Sequence, residues 1–331
     1  MSKIKIGQLG TYHDHAAGMC ECVKRFSDVF EFVGVVAESK EREEEVLKNQ
    51  SWYYEGVKFI TEEELFDAKP DAVMVEGDEK ELLKLAEKCI DKNIHVHVDK
   101  PAGEDLSHLR KILDKAKEKN LVFQMSYMYR YNDAIKKTKE IVKSGKLGDI
   151  IGIDAVMNTE HPADKRKWLS RFKGGIMFFL GCHMVDLVYM FGGYPKEVYA
   201  LNKVSGLDGN NESEDNCFAM LDYGSFTASI RMSSCEVNGY GRRQLVVSGT
   251  KGTVEIKPLE GPTEMYVSYK DMTDGNLFSN IREKVEIKQF VGRYDEMMLD
   301  FAKMVAGEKT NEYDYEYEYN VQRLLLEICN K

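Results

Sequence analysis

The segment Asp99-Lys100-Pro101 has the clearest chemical potential in this chain. It ends a short apolar run that begins at Ile94. Pro101 cannot donate a backbone hydrogen bond and favours an extended conformation at Lys100. Lys100 is therefore predicted just past the carboxyl end of a strand, where open α/β sheets bind their ligands, with its head group in the cleft. A lysine in this place can bind substrate hydroxyl groups and carry protons.

The elements that would hold this segment alternate regularly along the first part of the chain. Five apolar runs predict strands, with helical patterns between them. The runs cover residues 4–9, 30–37, 72–75, 94–98 and 121–126. Such alternation is typical of a parallel sheet that is covered on both faces. We therefore predict a doubly wound, Rossmann-type dinucleotide-binding domain over residues 1–125.

The pattern changes after residue 126, where strands joined by tight turns dominate. These strands are predicted over residues 148–158, 197–202, 216–223, 226–234, 243–248, 252–257 and 263–269. Helices are predicted over residues 134–144, 175–191, 295–305 and 319–329. We therefore predict an α+β domain over residues 126–331, with an open, mostly antiparallel sheet for substrate binding and oligomerisation. Tyr313, Tyr315, Tyr317 and Tyr319 alternate with acidic residues, which predicts an extended connector.

Composition narrows the class of protein and the partners. A chain of 331 residues is longer than one ordinary hydrophobic core accommodates, which favours two domains. The net charge of −10 argues against a nucleic-acid partner. No apolar run reaches the length of a membrane span, and the N-terminus has no signal-peptide pattern. Seven scattered cysteines indicate reduced thiols, so we expect a cytoplasmic protein without a membrane partner.

The loop after the first strand is the candidate nucleotide site. Gly10 begins it, but Tyr12 and His15 hold the positions where the dinucleotide fingerprint has its other glycines. A shortened loop, with a helix that starts near Asp14, would still offer free N–H groups to a pyrophosphate. On this basis we predict that Gly10, Thr11, Tyr12 and His15 bind the cofactor.

Glu38 ends the second predicted strand, where a ribose-binding carboxylate is expected. An acid in this position favours NAD over NADP, because it would repel the additional phosphate of NADP. A solvated acid at the end of a strand is an equally compatible interpretation. We predict NAD as the cofactor, with NADP as the less favoured choice.

Four motifs, taken in order, resemble the glucose–fructose oxidoreductase / inositol dehydrogenase (Gfo/Idh/MocA) family. Asp99-Lys100-Pro101 resembles the family's Glu-Lys-Pro motif. Residues 127–131, Tyr-Met-Tyr-Arg-Tyr, resemble the segment that leads into the second domain. Residues 144–148 are similar to the family's Ser-Gly-x-Leu-Gly turn, and residues 174–186 to its Gly-Gly-Gly … Asp-x-Gly-x-His-x-x-Asp segment. The resemblance spans both predicted domains.

The resemblance implies an NAD(P)-dependent oxidoreductase that acts on a sugar, cyclitol or related polyol. The matching lysine and histidine, Lys100 and His183, would act in proton transfer and hydroxyl binding. An alcohol that is oxidised loses a proton as its hydride leaves, so a base is needed. Lys100 and Glu76 would also line the cofactor, and Tyr129 and Arg130 the substrate.

Further polar residues precede the glycine pair of the last motif. His161, Arg166 and Trp168 are predicted to line the substrate pocket, and the indole could stack on the apolar face of a sugar. A mobile polar loop is the alternative. No metal site is predicted, because a grouping of His13, His15, His161 and His183 would need a convergence that the sequence does not show.

Two departures from the family pattern concern the mechanism. Phe179 stands where the family commonly has an acid, four residues before His183, and could pack on the imidazole. Asp186 could orient His183 instead. Residues 75–78 lack the family's Thr-Pro-Asn pattern, and Glu76 and Asp78 bring negative charge there, which His13 and His15 could face.

Three functions therefore remain open from the sequence. The first is the polyol dehydrogenase, which would turn over its cofactor. The second is a glycoside-cleaving enzyme with transient oxidation, which would show no net NADH. The third is a non-catalytic nucleotide-binding sensor, suggested by Phe179. An uncovered face of the second sheet predicts a homodimer or homotetramer.

Overall fold

The computed structural model describes residues 3–209 and 212–331, in two compact units. The first unit runs up to Met128 and also takes in Val291–Gln322. The second comprises Tyr129–Phe290 and Arg323–Lys331. The chain therefore returns to the first unit after Val291, which the sequence did not indicate. The domain bounds at residues 125 and 126 remain a prediction about independently folding parts.

The first unit is built on a parallel sheet of five strands. They are β1 (Ile4–Leu9), β2 (Phe30–Val36), β3 (Ala72–Val75), β4 (His95–Val98) and β5 (Phe123–Met125). Their order across the sheet is β2-β1-β3-β4-β5. The chain leaves β1 in one direction and returns on its other side at β3. The strand order therefore reverses between β1 and β3, where doubly wound sheets open a crevice for ligands.

Helices connect the strands of this sheet. They are α1 (Ala16–Arg25), α2 (Lys40–Asn49), α3 (Ser51–Tyr54), α4 (Glu62–Asp67), α5 (Leu82–Asp91) and α6 (Leu106–Glu118). Asp105 caps α6 by accepting the N–H groups of Ser107 and His108. The short helices α3 and α4 were not predicted, because one or two turns are too few to show a helical period.

The second unit begins with helices and one long strand. They are α7 (Asp133–Lys143), β6 (Ile150–Asn158), α8 (Ala163–Leu169), α9 (Ile176–Phe179) and α10 (Gly181–Gly192). The single helix predicted over residues 175–191 is wrong, since two helices meet at Leu180. The φ of −105° at Leu180 lies outside the ordinary helical range. A Cβ at Gly181 would lie 2.6 Å from the sulfur of Met177, so a larger residue at the start of α10 would require the methionine side chain to move.

Seven further strands join β6 in one sheet of eight. They are β7 (Glu197–Lys203), β8 (Asn216–Asp222), β9 (Thr227–Ser233), β10 (Gln244–Gly249), β11 (Gly252–Ile256), β12 (Met265–Tyr269) and β13 (Glu283–Lys284). The order is β13-β12-β11-β10-β6-β9-β8-β7, and only the β6–β9 pair is parallel. The predicted open and mostly antiparallel sheet is confirmed.

The two faces of this sheet differ in what covers them. Helices α9 and α10 pack on one face over β6, β8 and β9. On the other face of β7 and β8, Tyr199 opposes Met220 and Leu201 opposes Phe218 across the strand pair. All four side chains are exposed, Leu201 by 58%. Alternation along β8 places Ala219 and Leu221 in the core and their neighbours on the outer face.

Two helices close the chain, α11 (Asp295–Val305) and α12 (Tyr315–Cys329). The extended connector predicted from the alternating tyrosines is wrong, because Tyr315, Tyr317 and Tyr319 lie in α12. Asp314 starts the helix by accepting the N–H of Tyr317 at 2.8 Å. The rings of Tyr313 and Tyr317, four residues apart, then meet edge to face at 5.0 Å. None of the helices in the described ranges is long and apolar enough to cross a membrane.

Candidate active site

Three loops of the first unit meet at the carboxyl edge of the parallel sheet. They follow β1, β3 and β4, and carry Gly10–His13, Glu76–Glu79 and Asp99–Lys100. Gly10 has a φ of +100°, and a Cβ there would lie 2.4 Å from the backbone nitrogen of Gly77. Glycine at this position therefore allows the first two loops to touch, and the side chains around it are brought together.

Glu38 is tied to the loop after β1 by three hydrogen bonds. One carboxylate oxygen accepts the N–H groups of Thr11, at 2.8 Å, and Tyr12, at 3.2 Å. The other accepts the Thr11 hydroxyl at 2.8 Å. A carboxylate held beside this loop at the end of β2 has the chemistry that the ribose hydroxyls of NAD need. The ribose end of a NAD site is therefore compatible with the residues present, whereas Tyr12 and His15 replace glycines at the pyrophosphate end.

Arg42 of α2 is a neighbour of this loop that the sequence reasoning missed. Its guanidinium donates to the Thr11 carbonyl at 2.7 Å and lies 4.6 Å from the centre of the Tyr12 ring. It also pairs with Glu45 at 2.8 Å. The only feature of the sequence that could have indicated this contact is the position of Arg42, in the first turn of the helix that follows Glu38.

His13 and His15 both contact the carboxylate of Asp99. The Nδ1 atom of His13 lies 3.0 Å from Asp99 Oδ2, and that of His15 lies 3.1 Å from both oxygens. Asp99 Oδ1 also accepts the backbone N–H of Lys100 at 2.7 Å. Helix α1 begins after His15 rather than near Asp14, so the expected cap by Asp14 is wrong. The two histidines were expected to face Glu76 and Asp78, and nothing in the residue pattern indicated their pairing with Asp99.

Burial and neighbouring charge set opposite pKa shifts in this cluster. Burial raises the pKa of Glu76 well above its usual value, and the Asp99 carboxylate adds to the shift. Burial alone would raise the pKa of Asp99 too, but His13 and His15 hold it well below its usual value. Burial lowers the pKa of His15 to about 4. The two shifts run in opposite directions, so Asp99 is the more readily ionised of the two carboxyl groups.

Lys100 lies at the centre of this edge and is fully buried. Its head group was predicted in the cleft, and the structure shows that it is shielded from solvent there. Its carbonyl oxygen is 3.0 Å from Nε2 of His13, and the Lys100–Pro101 peptide bond is cis. Gln322 of α12 accepts the N–H of Ala102 at 3.1 Å and so holds the loop that follows Lys100.

His183 lies in the second unit, buried in the first turn of α10. The Tyr129 ring meets its imidazole edge to face, with the ring centres 5.1 Å apart. The Tyr129 hydroxyl donates to Glu260 at 2.5 Å, and Arg243 lies 3.3 Å from the same carboxylate oxygen. Two of the predicted substrate residues, Tyr129 and His183, are thus neighbours, and Glu260 and Arg243 are additions that the sequence did not indicate.

Arg130 and Asp186 form a buried ion pair. The guanidinium Nε donates to both carboxylate oxygens at 3.0 and 3.1 Å, and Nη2 donates to Oδ1 at 2.7 Å. Both side chains are 1% exposed. Asp186 therefore binds Arg130, whereas the sequence suggested that it orients His183. The predicted contact of Arg130 with substrate stays a prediction.

The remaining predicted substrate residues cluster around α8. The Trp168 ring meets the Phe179 ring edge to face, with the ring centres 5.1 Å apart. The Lys165 ammonium lies 3.8 Å from the centre of the Trp168 ring. Arg166 is buried, donates to the His161 carbonyl at 2.6 Å and pairs with Asp208. Phe179 therefore belongs to the aromatic group of α8, and the roles of His161, Arg166 and Trp168 in substrate binding stay predictions.

Comparison with known sequences matches both parts of the chain to described protein families. Residues 6–127 match the family described as "Oxidoreductase family, NAD-binding Rossmann fold", and residues 135–255 match the "GFO/IDH/MocA C-terminal domain". The chain belongs to the GFO/IDH/MocA oxidoreductase family. The family indicated by the four sequence motifs is confirmed, and so is the Rossmann-type fold of the first part.

Two curated relatives illustrate the range of the family. Trans-1,2-dihydrobenzene-1,2-diol dehydrogenase of Bos taurus is 26% identical over 190 residues, which cover 54% of this chain and 52% of the relative. This match thus spans about half the length of the bovine protein. Myo-inositol 2-dehydrogenase of Thermotoga maritima is 25% identical over 259 residues, which cover 76% of this chain and 73% of the relative.

Solved structures share the whole architecture at low sequence identity. UDP-N-acetylglucosamine 3-dehydrogenase of Acidithiobacillus ferrooxidans superposes with a TM-score of 0.79 at 16% identity, covering 99% of this chain and 97% of that one. An oxidoreductase of Thermotoga maritima gives a TM-score of 0.78 at 20% identity, covering 99% and 95%. At these identities the likeness establishes the fold alone.

Proposed function

We propose that this chain is an NAD-dependent oxidoreductase that transfers a hydride between the nicotinamide cofactor and a sugar, cyclitol or related polyol. The observation that carries the proposal is the buried Lys100 at the carboxyl end of β4, in a family whose N-terminal domain is an NAD-binding Rossmann fold. The names of two relatives, a cyclic diol dehydrogenase and an inositol dehydrogenase, support a substrate with hydroxyl groups on a ring.

The cofactor would be held by the loops at the edge of the parallel sheet. NAD, when bound, supplies the hydride acceptor or donor. Glu38 would bind the ribose, and the remaining residues of the loops would line the rest of the cofactor. They are Gly10, Thr11, Tyr12, His15, Glu76 and Lys100.

Lys100 would take the proton of the substrate hydroxyl at Nζ and return it in the reverse direction. Asp99 positions the lysine by accepting its backbone N–H, and Gln322 fixes the loop that follows. His183 would bind and share a proton with a substrate hydroxyl, as the family resemblance implies. Tyr129, Arg130, His161, Arg166 and Trp168 complete the proposed substrate residues.

We also propose that the protein assembles as a homodimer or homotetramer through the outer face of the second sheet. The exposed apolar pairs of β7 and β8 support this, because large uncovered apolar faces usually mark an interface. The seven free thiols, six of them buried, support a reducing, cytoplasmic location.

The test is an incubation of the purified chain with NAD and a panel of sugars, cyclitols and cyclic diols, with substrate and NADH measured separately. A dehydrogenase produces NADH in step with oxidised product. Conversion of a glycoside without net NADH would replace this proposal with the elimination mechanism. Tight cofactor binding without conversion of any compound would favour the sensor.

A further inference from the structure

The pairing of His13 and His15 with Asp99 brings three possible metal ligands together beside the proposed cofactor loops, beyond the roles given above to His15 and Asp99. The ligand atoms of the two imidazoles and the carboxylate all lie within 4.8 Å of one another. Two histidines and one carboxylate are a donor set for borderline divalent metal ions. The metal-binding group considered from the sequence was His13, His15, His161 and His183. In the structure, Asp99 joins His13 and His15 instead of the other two histidines.

One hydrogen bond of His13 fixes the role of a ring nitrogen. The Lys100 carbonyl can only accept, so Nε2 of His13, 3.0 Å away, carries a hydrogen. Nδ1, the other ring nitrogen, lies 3.2 Å from the backbone nitrogen of His15 and faces Asp99. Metal-binding histidines commonly donate their second N–H to a backbone carbonyl in this way.

Nδ1 of His13 faces the Asp99 carboxylate. The two atoms, Nδ1 of His13 and Oδ2 of Asp99, are 3.0 Å apart. A divalent ion bound to both atoms would take the place of a proton shared between them. Metal–ligand bonds of about 2.0–2.2 Å place neighbouring ligand atoms about 3 to 3.5 Å apart. The 3.0 and 3.1 Å separations of the two histidines from Asp99 lie within this range.

The buried carboxyl groups around the three ligands also favour a cation. Glu76, Glu79 and Asp99 are buried carboxyl groups, and Lys100 is the buried lysine beside them. Glu76 is fully buried next to Asp99, and neither of its oxygens has a hydrogen-bond partner. An unsatisfied buried carboxyl group is costly, and a divalent ion would compensate it.

We propose that His13, His15 and Asp99 bind one divalent first-row metal ion of the Zn²⁺ or Co²⁺ type. Glu76 lies where it can approach the same ion or hold a ligand water. The site is formed within the first unit and does not depend on the identity of the substrate or on turnover.

The test uses the full, tag-free chain after treatment with a chelator, in the absence of NAD. Calorimetric titration with Zn²⁺ should give one equivalent per chain. Co²⁺ should give visible d–d absorption without a thiolate charge-transfer band, and Zn²⁺ should displace it. His13→Gln and Asp99→Asn should each weaken Zn²⁺ binding at least about tenfold, the loss expected when one ligand or its support is removed.

His108→Gln is the matched control, because His108 and Glu87 form another histidine–carboxylate pair of the first unit, at 2.8 Å, away from the cluster. It should bind Zn²⁺ like the parent chain. Binding well below one equivalent in the parent chain overturns the proposal, as does unchanged affinity in Asp99→Asn. If the variants do not fold, the Co²⁺ spectrum of the parent chain decides, and a thiolate band or no d–d band refutes the site.

Discussion

The carboxylate of Glu38 accepts both the backbone N–H and the hydroxyl of Thr11, each at 2.8 Å. This arrangement holds a negative charge at the end of β2, next to the loop that follows β1. The nearby Arg42 guanidinium, which could otherwise attract a 2′-phosphate, is already bound by Glu45 and the Thr11 carbonyl.

We therefore predict that the chain binds NAD more tightly than NADP, and that Glu38→Ala removes the preference. A tenfold preference corresponds to about 1.4 kcal/mol. Fluorescence titration of both cofactors measures it. Glu43→Ala, which removes a neighbouring acid of α2, is the control and should keep the preference. Equal affinity of the parent chain for both cofactors would contradict the role of Glu38.

Replacement of Lys100 by methionine should abolish turnover while the chain still folds. Methionine has a similar shape and fills the buried site, whereas alanine would leave a cavity. We expect the rate to fall by about 10² to 10⁴, the typical contribution of a general acid–base group. Steady-state kinetics measures the loss, and circular dichroism checks the fold. A loss below about tenfold would mean that the lysine does not transfer the proton.

The buried pair of Arg130 and Asp186 should contribute strongly to stability. Asp186→Asn leaves the guanidinium buried without its counter-charge, which typically costs about 3–5 kcal/mol. Denaturant unfolding measures the change. The exposed pair of Arg110 and Asp114, 3.7 Å apart, gives the control, since Asp114→Asn should cost less than about 1 kcal/mol. Similar costs at both sites would show that the buried pair has no special role.

Light scattering at micromolar concentration should give at least twice the chain mass of 38.0 kDa. Leu201→Glu should dissociate the assembly, because it places a charge in the centre of the apolar face that Leu201 and Phe218 form. Val237→Glu changes an exposed valine outside β7 and β8 and should leave the mass unchanged. A monomeric parent chain would refute the assembly.

His95 should make the fold less stable as the pH falls. Its Nδ1 accepts the N–H of Val122 at 2.8 Å, and burial lowers its pKa. Because His95 binds a proton more readily in the unfolded chain than in the folded chain, protonation favours unfolding. The contribution of His95 to folding stability is therefore present above the ordinary histidine pKa of about 6.5 and is lost as the pH falls below it.

The measurement is the melting temperature of the parent chain and of His95→Asn at pH 7.5 and 5.5. Asparagine can accept the same N–H but does not titrate. The melting temperature of the His95→Asn variant should therefore fall less between pH 7.5 and 5.5 than that of the parent chain, by about 2–4 °C for each 1 kcal/mol of difference in stability. The other histidines contribute equally to both proteins. An equal fall in both would show that His95 does not titrate differently on folding.

The residue pattern alone is enough to predict the parallel sheet and the place of Lys100. Strands β1 and β3 were predicted at their observed bounds. β3 is a continuous apolar run, which is typical of a buried parallel strand, and Asp71 and Glu76 mark its ends. The residue pattern also indicates the family, through four motifs in fixed order. The local pattern was misleading where a two-residue period and a helical period compete. Tyr315 and Tyr317 alternate with acids as in an extended segment, but they lie in α12.

The pairing of the polar side chains, in contrast, is visible only in the folded chain. His15 and Asp99 are 84 residues apart and follow strands that are not adjacent, and Arg130 and Asp186 are 56 residues apart. Such contacts depend on strand order and on the path of the loops, which hydrophobic periodicity does not encode. The burial of Lys100 and the return of residues 291–322 to the first unit have the same origin, since they result from packing between distant segments.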